Sequence, residues 1–152
     1  DGDRWVFDFP FTVGGSEVLA MYTYLTRVFE SYGEGSVGDF VADNIKFTSQ
    51  DVNGEPQYEI HLTAWLAPYD LGISQDVQLK AIPEGEHNIY RIEVIINRLS
   101  GDVASWKRIN RGFLNALRKR FLVWRTIPAD LKHGYAEEGR QILAGETVEA
   151  TA

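Results

Sequence analysis

The fold is decided by the stretch YEIHLTAWL at residues 58–66, in which apolar and polar side chains alternate without a break. An extended strand places alternate side chains on opposite faces, so one face would carry Tyr58, Ile60, Leu62, Ala64 and Leu66. The other face would carry Glu59, His61, Thr63 and Trp65. This pattern is typical of a strand in an antiparallel sheet that is buried on one side only.

Strand patterns continue on both sides of this stretch. Before it, we predict a strand that carries on one face Val41, Asp43, Ile45 and Phe47. Asn53-Gly54 then favours a tight hairpin turn. Further strands are predicted over residues 77–81 and 90–96, and an aromatic-rich run at the start of the chain predicts one that ends near Pro10. Short turns between consecutive strands favour antiparallel pairing.

Three helices are predicted from apolar residues that recur every three or four positions. The first begins behind Ser16 and ends at Gly33. The second begins after Asp102 or Ser100, and Pro128 opens the third. The sequence therefore predicts an α+β fold with the element order β-α-β-β-β-β-α-α. In it an antiparallel sheet of about five strands has helices packed on one face.

The composition of the chain is that of one water-soluble domain, with 152 residues of which 44% are hydrophobic and 24% are charged. We expect a single domain over residues 1–144 and a flexible tail over residues 145–152. No apolar run approaches the roughly 18 residues that a bilayer helix needs, and the lack of cysteine excludes disulfides. The chain starts at Asp1 without a methionine, so we expect a piece of a larger protein.

No catalytic or cofactor-binding motif has both the residue spacing and the neighbouring secondary structure that it requires. Glycines at 33, 35 and 38 have the spacing of a dinucleotide-binding loop, but here a helix precedes them and a strand follows, the reverse of that motif. We therefore predict no cofactor. The three histidines lack the short spacing of metal ligands: His61, His87 and His133. Glu59 and His61 share a strand face and suit either an acid–base pair or, as we favour, a solvated surface pair.

Positive charge is concentrated in one segment of an acidic chain. The net charge is −7, yet residues 98–125 hold eight of the fifteen basic side chains and one of the twenty-two acidic ones. On the predicted second helix, an arc of about 120° opposite the apolar stripe carries Lys107, Arg108, Arg111, Arg118, Lys119 and Arg125. Two interpretations stay open. The arc is a solvated face neutralised by the rest of the domain, or it contacts an anionic membrane or an acidic protein surface.

Nucleic acid is a poorer partner for this arc. The remainder of the chain is strongly acidic and would repel a long polyanion. The arc also lacks the aromatic side chains on which bases stack. We therefore predict no nucleic-acid binding.

The last predicted strand and the second helix carry a resemblance. It rests on Arg98-Leu99-Ser100-Gly101-Asp102, Ser105-Trp106, Asn110-Arg111, Phe113-Leu114, Leu117-Arg118-Lys119 and Trp124-Arg125. In the order and spacing of these residues, the segment 90–127 resembles segments of bacterial membrane-tethered proteins. The resemblance implies a domain that lies beside transmembrane helices of a larger bacterial protein, and it transfers no catalytic residue.

The leading hypothesis is a non-enzymatic domain of a membrane-anchored bacterial protein that contacts a protein or membrane surface through the basic helix. The alternative is a small-molecule-binding or enzymatic domain with a cavity between the sheet and the long helix. Four aromatic residues either line such a cavity or, as we favour, fill it as core: Tyr58, Tyr90, Trp106 and Phe113. A third hypothesis is self-association through an apolar patch formed by Trp65 and Ile95 on the open sheet face.

Overall fold

A computed structural model describes residues 3–30, 40–66, 74–84 and 88–144. The elements are β1 (Arg4–Gly14), α1 (Val18–Glu30), β2 (Phe40–Val52), β3 (Glu55–Leu66), β4 (Ser74–Pro83), β5 (Ile89–Ser100), α2 (Val103–Trp124) and α3 (Ala129–Leu143). Their order confirms the predicted α+β fold. The glycines at 33–38 and the predicted tail at 145–152 lie outside the described residues.

The five strands form one antiparallel sheet in the order β1-β5-β4-β3-β2. The predicted hairpin between β2 and β3 is confirmed, because Asn53 and Gly54 both have positive φ, 54° and 84°. Such a turn matches the twist of the two strands that it joins. The first strand pairs with the last, so β1 and β2 form the two edges of the sheet.

The predicted end of β1 near Pro10 was wrong, because the strand continues to Gly14. Its pairing with β5 shifts between Asp8 and Thr12, on either side of the proline. Proline lacks a backbone N–H, which is tolerated on an edge strand or at an irregularity of the ladder. Pro10 therefore interrupts the register without ending the strand.

The predicted face of β2 was also wrong at two positions, because Val41 pairs with Trp65 and Asp43 pairs with Thr63. Asp43 therefore lies on the polar side of the sheet instead of sharing a face with Phe47. Asn44 has a positive φ of 54°, and the register shifts between Asp43 and Lys46. This shift places one extra residue in β2 and reverses the side-chain alternation, as a β-bulge does.

The core lies between the apolar face of the sheet and the helices. Its floor includes fully buried residues of the neighbouring strands β4 and β5: Val77, Leu79, Ala81, Ile92, Val94 and Ile96. Ring contacts place α1 over β2, where the rings of Tyr22 and Phe47 are 6.2 Å apart. They place α2 over β1, where the rings of Phe121 and Phe9 are 4.9 Å apart. The third helix packs on α1 rather than on the centre of the sheet.

Candidate functional site

The candidate site is built on α2, whose start and rotation are both fixed. The side chain of Asp102 accepts a hydrogen bond from the backbone N–H of Ser105 at 2.8 Å, so Asp102 and not Ser100 caps the helix. The helix then continues to Trp124 without a break. One stripe of it is buried: Trp106, Asn110, Phe113, Leu117, Phe121 and Trp124. Because this stripe faces the sheet, the opposite side of α2 faces outward.

That outward side carries the six predicted cations, and all of them are exposed: Lys107, Arg108, Arg111, Arg118, Lys119 and Arg125. We call them the basic face. Within the described ranges none of the six forms an ion pair with a carboxylate. Other basic residues do contact carboxylates: Arg27, Arg91, Arg98, Lys132 and Arg140. The basic face is therefore not neutralised by direct contacts with the described carboxylates.

Two electrostatic contacts mark the ends of the basic face. At the start of α2, hydrogen bonds from Ser105 lower the pKa of Asp102, and the charge of Arg108 acts in the same direction. At the other end, the guanidinium carbon of Arg125 lies 5.1 Å from the ring centre of Phe11. This cation–π contact positions Arg125 at the edge of β1 without neutralising its charge.

Exposed apolar residues also lie among these cations, and they were not among the predicted site residues. Leu122 is 45% exposed and Val123 is 43% exposed. Leu122 lies one helical turn after Arg118 and Lys119 and falls between them around the helix axis. An exposed leucine thus stands in the middle of the basic face, and its position follows directly from the helical period.

The residues considered for acid–base chemistry lie on the open face of the sheet. Glu59 faces Lys80 on β4, and Lys80 in turn faces Glu93 on β5. Opposite charges in this order stabilise a sheet surface. His61 is half-buried and faces Gln78. Within the described residues, no group of three or more His, Cys, Asp or Glu side chains is placed to hold a metal ion.

The four aromatic side chains considered either as a cavity lining or, as favoured, as core residues belong to the core. Tyr58, Tyr90, Trp106 and Phe113 are all buried. The rings of Tyr58 and Tyr90 lie 6.0 Å apart, and the Tyr90 hydroxyl donates a hydrogen bond to the carbonyl of Pro56 at 2.8 Å. Burial raises the pKa of both tyrosines. These residues pack together and stabilise the fold.

A cleft is present at a different place, at the end of α2. It has a volume of about 220 Å³ and includes Arg125 of the basic face together with Glu17 and Lys132. Its walls come from β1, α1, α2 and α3. No sequence pattern signals it, because two stretches that are distant in the chain, residues 11–21 and 121–132, converge there.

The predicted apolar patch on the open sheet face was wrong for one of its two residues. Ile95 is only 3% exposed and lies on β5 between Val6 and Gln78 of the neighbouring strands. The side chain of Trp65 lies outside the described residues. Ile95 therefore does not offer an exposed surface for self-association.

Comparison with protein-family models, with curated proteins and with solved structures finds no match to the chain. Membrane attachment of a parent protein and the resemblance of residues 90–127 to bacterial membrane-tethered proteins therefore stay predictions. A search of the described helices finds none with the length and apolar character needed to cross a bilayer.

Proposed function

We propose that this domain binds anionic membrane surfaces through the basic face of α2, as a non-enzymatic part of a larger, membrane-anchored bacterial protein. One observation carries the proposal. Six exposed cations lie along one side of an unbroken helix and contact no carboxylate of the described residues, although the chain as a whole has a net charge of −7.

The shape of the basic face suits a flat partner. A helix of 22 residues is about 33 Å long, and the cations are spread from its second turn to Arg125, which follows its last residue. A plane of lipid headgroups can approach all of them at once. Each Lys or Arg near an anionic bilayer contributes about 1 kcal/mol, so six supply about 6 kcal/mol before the cost of ordering the domain.

The exposed apolar residues favour a membrane over an acidic protein. Leu122 lies between cations and is 45% exposed. At a bilayer, a leucine in this setting can enter the boundary between headgroups and acyl chains while its basic neighbours stay with the phosphates. The resemblance of residues 90–127 to bacterial membrane-tethered proteins supports the same choice of partner.

Vesicle sedimentation tests the proposal. The protein is mixed at low salt with vesicles of phosphatidylcholine alone, or of equal parts phosphatidylcholine and phosphatidylserine. We expect binding to the anionic vesicles only, and loss of that binding when Arg108, Arg111, Arg118 and Lys119 are all replaced by Gln. Equal sedimentation with both vesicle types, or none with either, would overturn the proposal.

A second pair of variants separates membrane insertion from simple charge attraction. Leu122→Gln removes the apolar residue of the basic face, and Leu99→Gln removes an equally exposed leucine at the end of β5. We expect Leu122→Gln, but not Leu99→Gln, to weaken binding to anionic vesicles. The binding that Leu122→Gln retains should be fully reversed by salt. If both variants bind like the native protein, Leu122 does not insert, and charge attraction alone accounts for the binding to anionic vesicles.

A further inference from the structure

The cleft beside the basic face has a charged rim above apolar side chains that are almost wholly buried. Its volume is about 220 Å³. Buried side chains form the floor: Val13, Met21, Phe121 and Trp124. The charged residues of the lining are Glu17, Arg125 and Lys132. A pocket of this kind suits a ligand with one apolar part and one charged part.

Both cations of the rim are held over aromatic rings. The guanidinium carbon of Arg125 lies 5.1 Å from the ring centre of Phe11, and the Lys132 ammonium lies 4.9 Å from the ring centre of Trp124. These contacts restrict the two long side chains before any ligand arrives. Less conformational entropy is then lost on binding than for two freely rotating cations.

The charge balance of the rim favours an anion. Lys132 contacts the carboxylate of Glu17 at 3.1 Å, whereas Arg125 has no carboxylate partner in the described part of the chain. The rim therefore carries two positive charges and one negative charge. An anion would contact Arg125 directly and compete with Glu17 for Lys132.

The volume of the cleft limits the size of the ligand. It exceeds the roughly 150 Å³ of a protein cavity that binds benzene, and it is smaller than the roughly 300–1,000 Å³ of pockets for drug-sized ligands. The apolar part of the ligand is thus about as large as one ring or a short alkyl chain. A whole lipid does not fit.

We propose that this cleft binds a small organic anion, a phosphate or carboxylate attached to a ring-sized apolar group. The anionic head lies between Arg125 and Lys132, and the apolar part packs on Phe121 and Trp124. Guanidinium groups bind both kinds of anion through paired hydrogen bonds. The site shares Arg125 with the basic face, whereas Lys132 and the floor residues are not part of that face.

Nuclear magnetic resonance of the indole N–H groups tests this site with phenyl phosphate as the probe. The chain has four tryptophans. Trp124 lines the cleft, while Trp106 lies 18 residues earlier on α2, about 27 Å away along the helix axis. We expect phenyl phosphate to shift the Trp124 signal in a saturable manner and to leave the Trp106 signal unchanged. Shifts of both signals, or of neither, would overturn the proposal.

Three single variants then test what each charged residue contributes to binding. Arg125→Gln should weaken phenyl phosphate binding about tenfold, since a hydrogen bond to a charged group is lost. Glu17→Gln should strengthen it, because the competing carboxylate is removed and Lys132 is freed. Arg118→Gln is the matched control, since Arg118 lies two turns earlier on α2 and does not line the cleft. Equal weakening by Arg118→Gln and Arg125→Gln would mean unspecific charge attraction and would contradict the site.

Two further probes test the two parts of the ligand. Benzoate should bind at the same place as phenyl phosphate, because both carry an anion on a ring. Inorganic phosphate should bind more weakly than either, since it cannot cover the apolar floor. If inorganic phosphate binds as tightly as phenyl phosphate, the apolar part of the proposal is wrong. All of these measurements are made without vesicles. Their results therefore test the cleft whether or not the domain binds membranes.

Discussion

The indole N–H of Trp106 donates a hydrogen bond to the side-chain carbonyl of Gln75 at 2.8 Å, and both residues are buried. Trp106 lies in the first turn of α2 and Gln75 near the start of β4. A directional bond between a helix and a strand fixes the rotation of the helix as well as its distance from the sheet. This bond helps to hold the buried stripe of α2 inward and therefore its basic face outward.

Trp106→Phe should destabilise the domain by about 2–3 kcal/mol, because it leaves the Gln75 carbonyl unsatisfied and opens a cavity in the core. Urea unfolding followed by far-ultraviolet circular dichroism measures the loss. Trp5→Phe is the control, since Trp5 contacts the Trp106 ring at 6.1 Å but is only half-buried. A larger loss in Trp5→Phe than in Trp106→Phe would contradict the importance of this bond.

Asn110→Leu should raise the stability by about 1 kcal/mol, because Asn110 is fully buried and neither atom of its amide has a partner among the described residues. Leucine has a similar size and no polar atom to desolvate. Urea unfolding at neutral pH measures the change. A clear loss of stability in Asn110→Leu would show that the amide has a partner after all.

Gly139→Ala should destabilise the protein by about 1–3 kcal/mol through overpacking, since α1 and α3 approach closely there. A Cβ atom at this position would collide with the hydroxyl of Thr23 and lie 2.9 Å from Cδ1 of Leu19. Gly134→Ala in the same helix meets no atom within 4 Å and should add about 0.5–1 kcal/mol from helix propensity. Thermal unfolding of the two variants measures both changes. Equal shifts in the melting temperature would contradict the close approach of α1 and α3 at Gly139.

The cap of α2 should make part of the stability depend on pH. Hydrogen bonds from Ser105 lower the pKa of Asp102 below its ordinary value. A carboxylate with a lowered pKa in the folded state stabilises the protein above its unfolded pKa of about 3.9, and this contribution is lost as the pH falls through the folded value.

Asp102→Asn tests this dependence, because asparagine keeps the cap and does not titrate. Urea midpoints of the native protein and the variant should differ more at pH 7 than at a pH below the lowered pKa of Asp102, where this carboxyl is protonated. A constant difference between the two proteins over this range would contradict the role of the charge.

The element order could be predicted because it depends on local patterns. The clean alternation of residues 58–66, the Asn53-Gly54 turn and the Asp102 cap each act within a few residues, and the structure confirms them. The second long helix and its six outward cations follow from the helical period alone. Leu122 could have been recognised in the same way.

The remaining features depend on contacts between distant parts of the chain. The bulge at Asn44 depends on the pairing of β2 with β3, and the continuation of β1 beyond Pro10 depends on its place at the edge of the sheet. Ile95 lies on β5 between β4, which precedes it in the chain, and β1, which is distant in sequence. The cleft at Arg125 and Lys132 needs four elements to meet, and no single segment contains its pattern.

Two variants of equal charge distinguish attraction by the basic face of α2 from attraction by the net charge of the protein. One replaces Arg108, Arg111, Arg118 and Lys119 with Gln, and the other replaces four basic residues outside α2: Arg4, Arg27, Lys46 and Lys80. Both lower the net charge from −7 by four, to −11, so only the position of the lost charge differs. Thermal unfolding first checks that both variants are folded.

Binding of the two variants to anionic vesicles is then measured by sedimentation at low salt. At about 1 kcal/mol for each cation, the α2 variant should bind about a thousandfold more weakly than the native protein. The variant with the four changes outside α2 should keep most of the native affinity. Equal loss of binding in the two variants would contradict the account, because net charge and not the basic face of α2 would then determine the attraction.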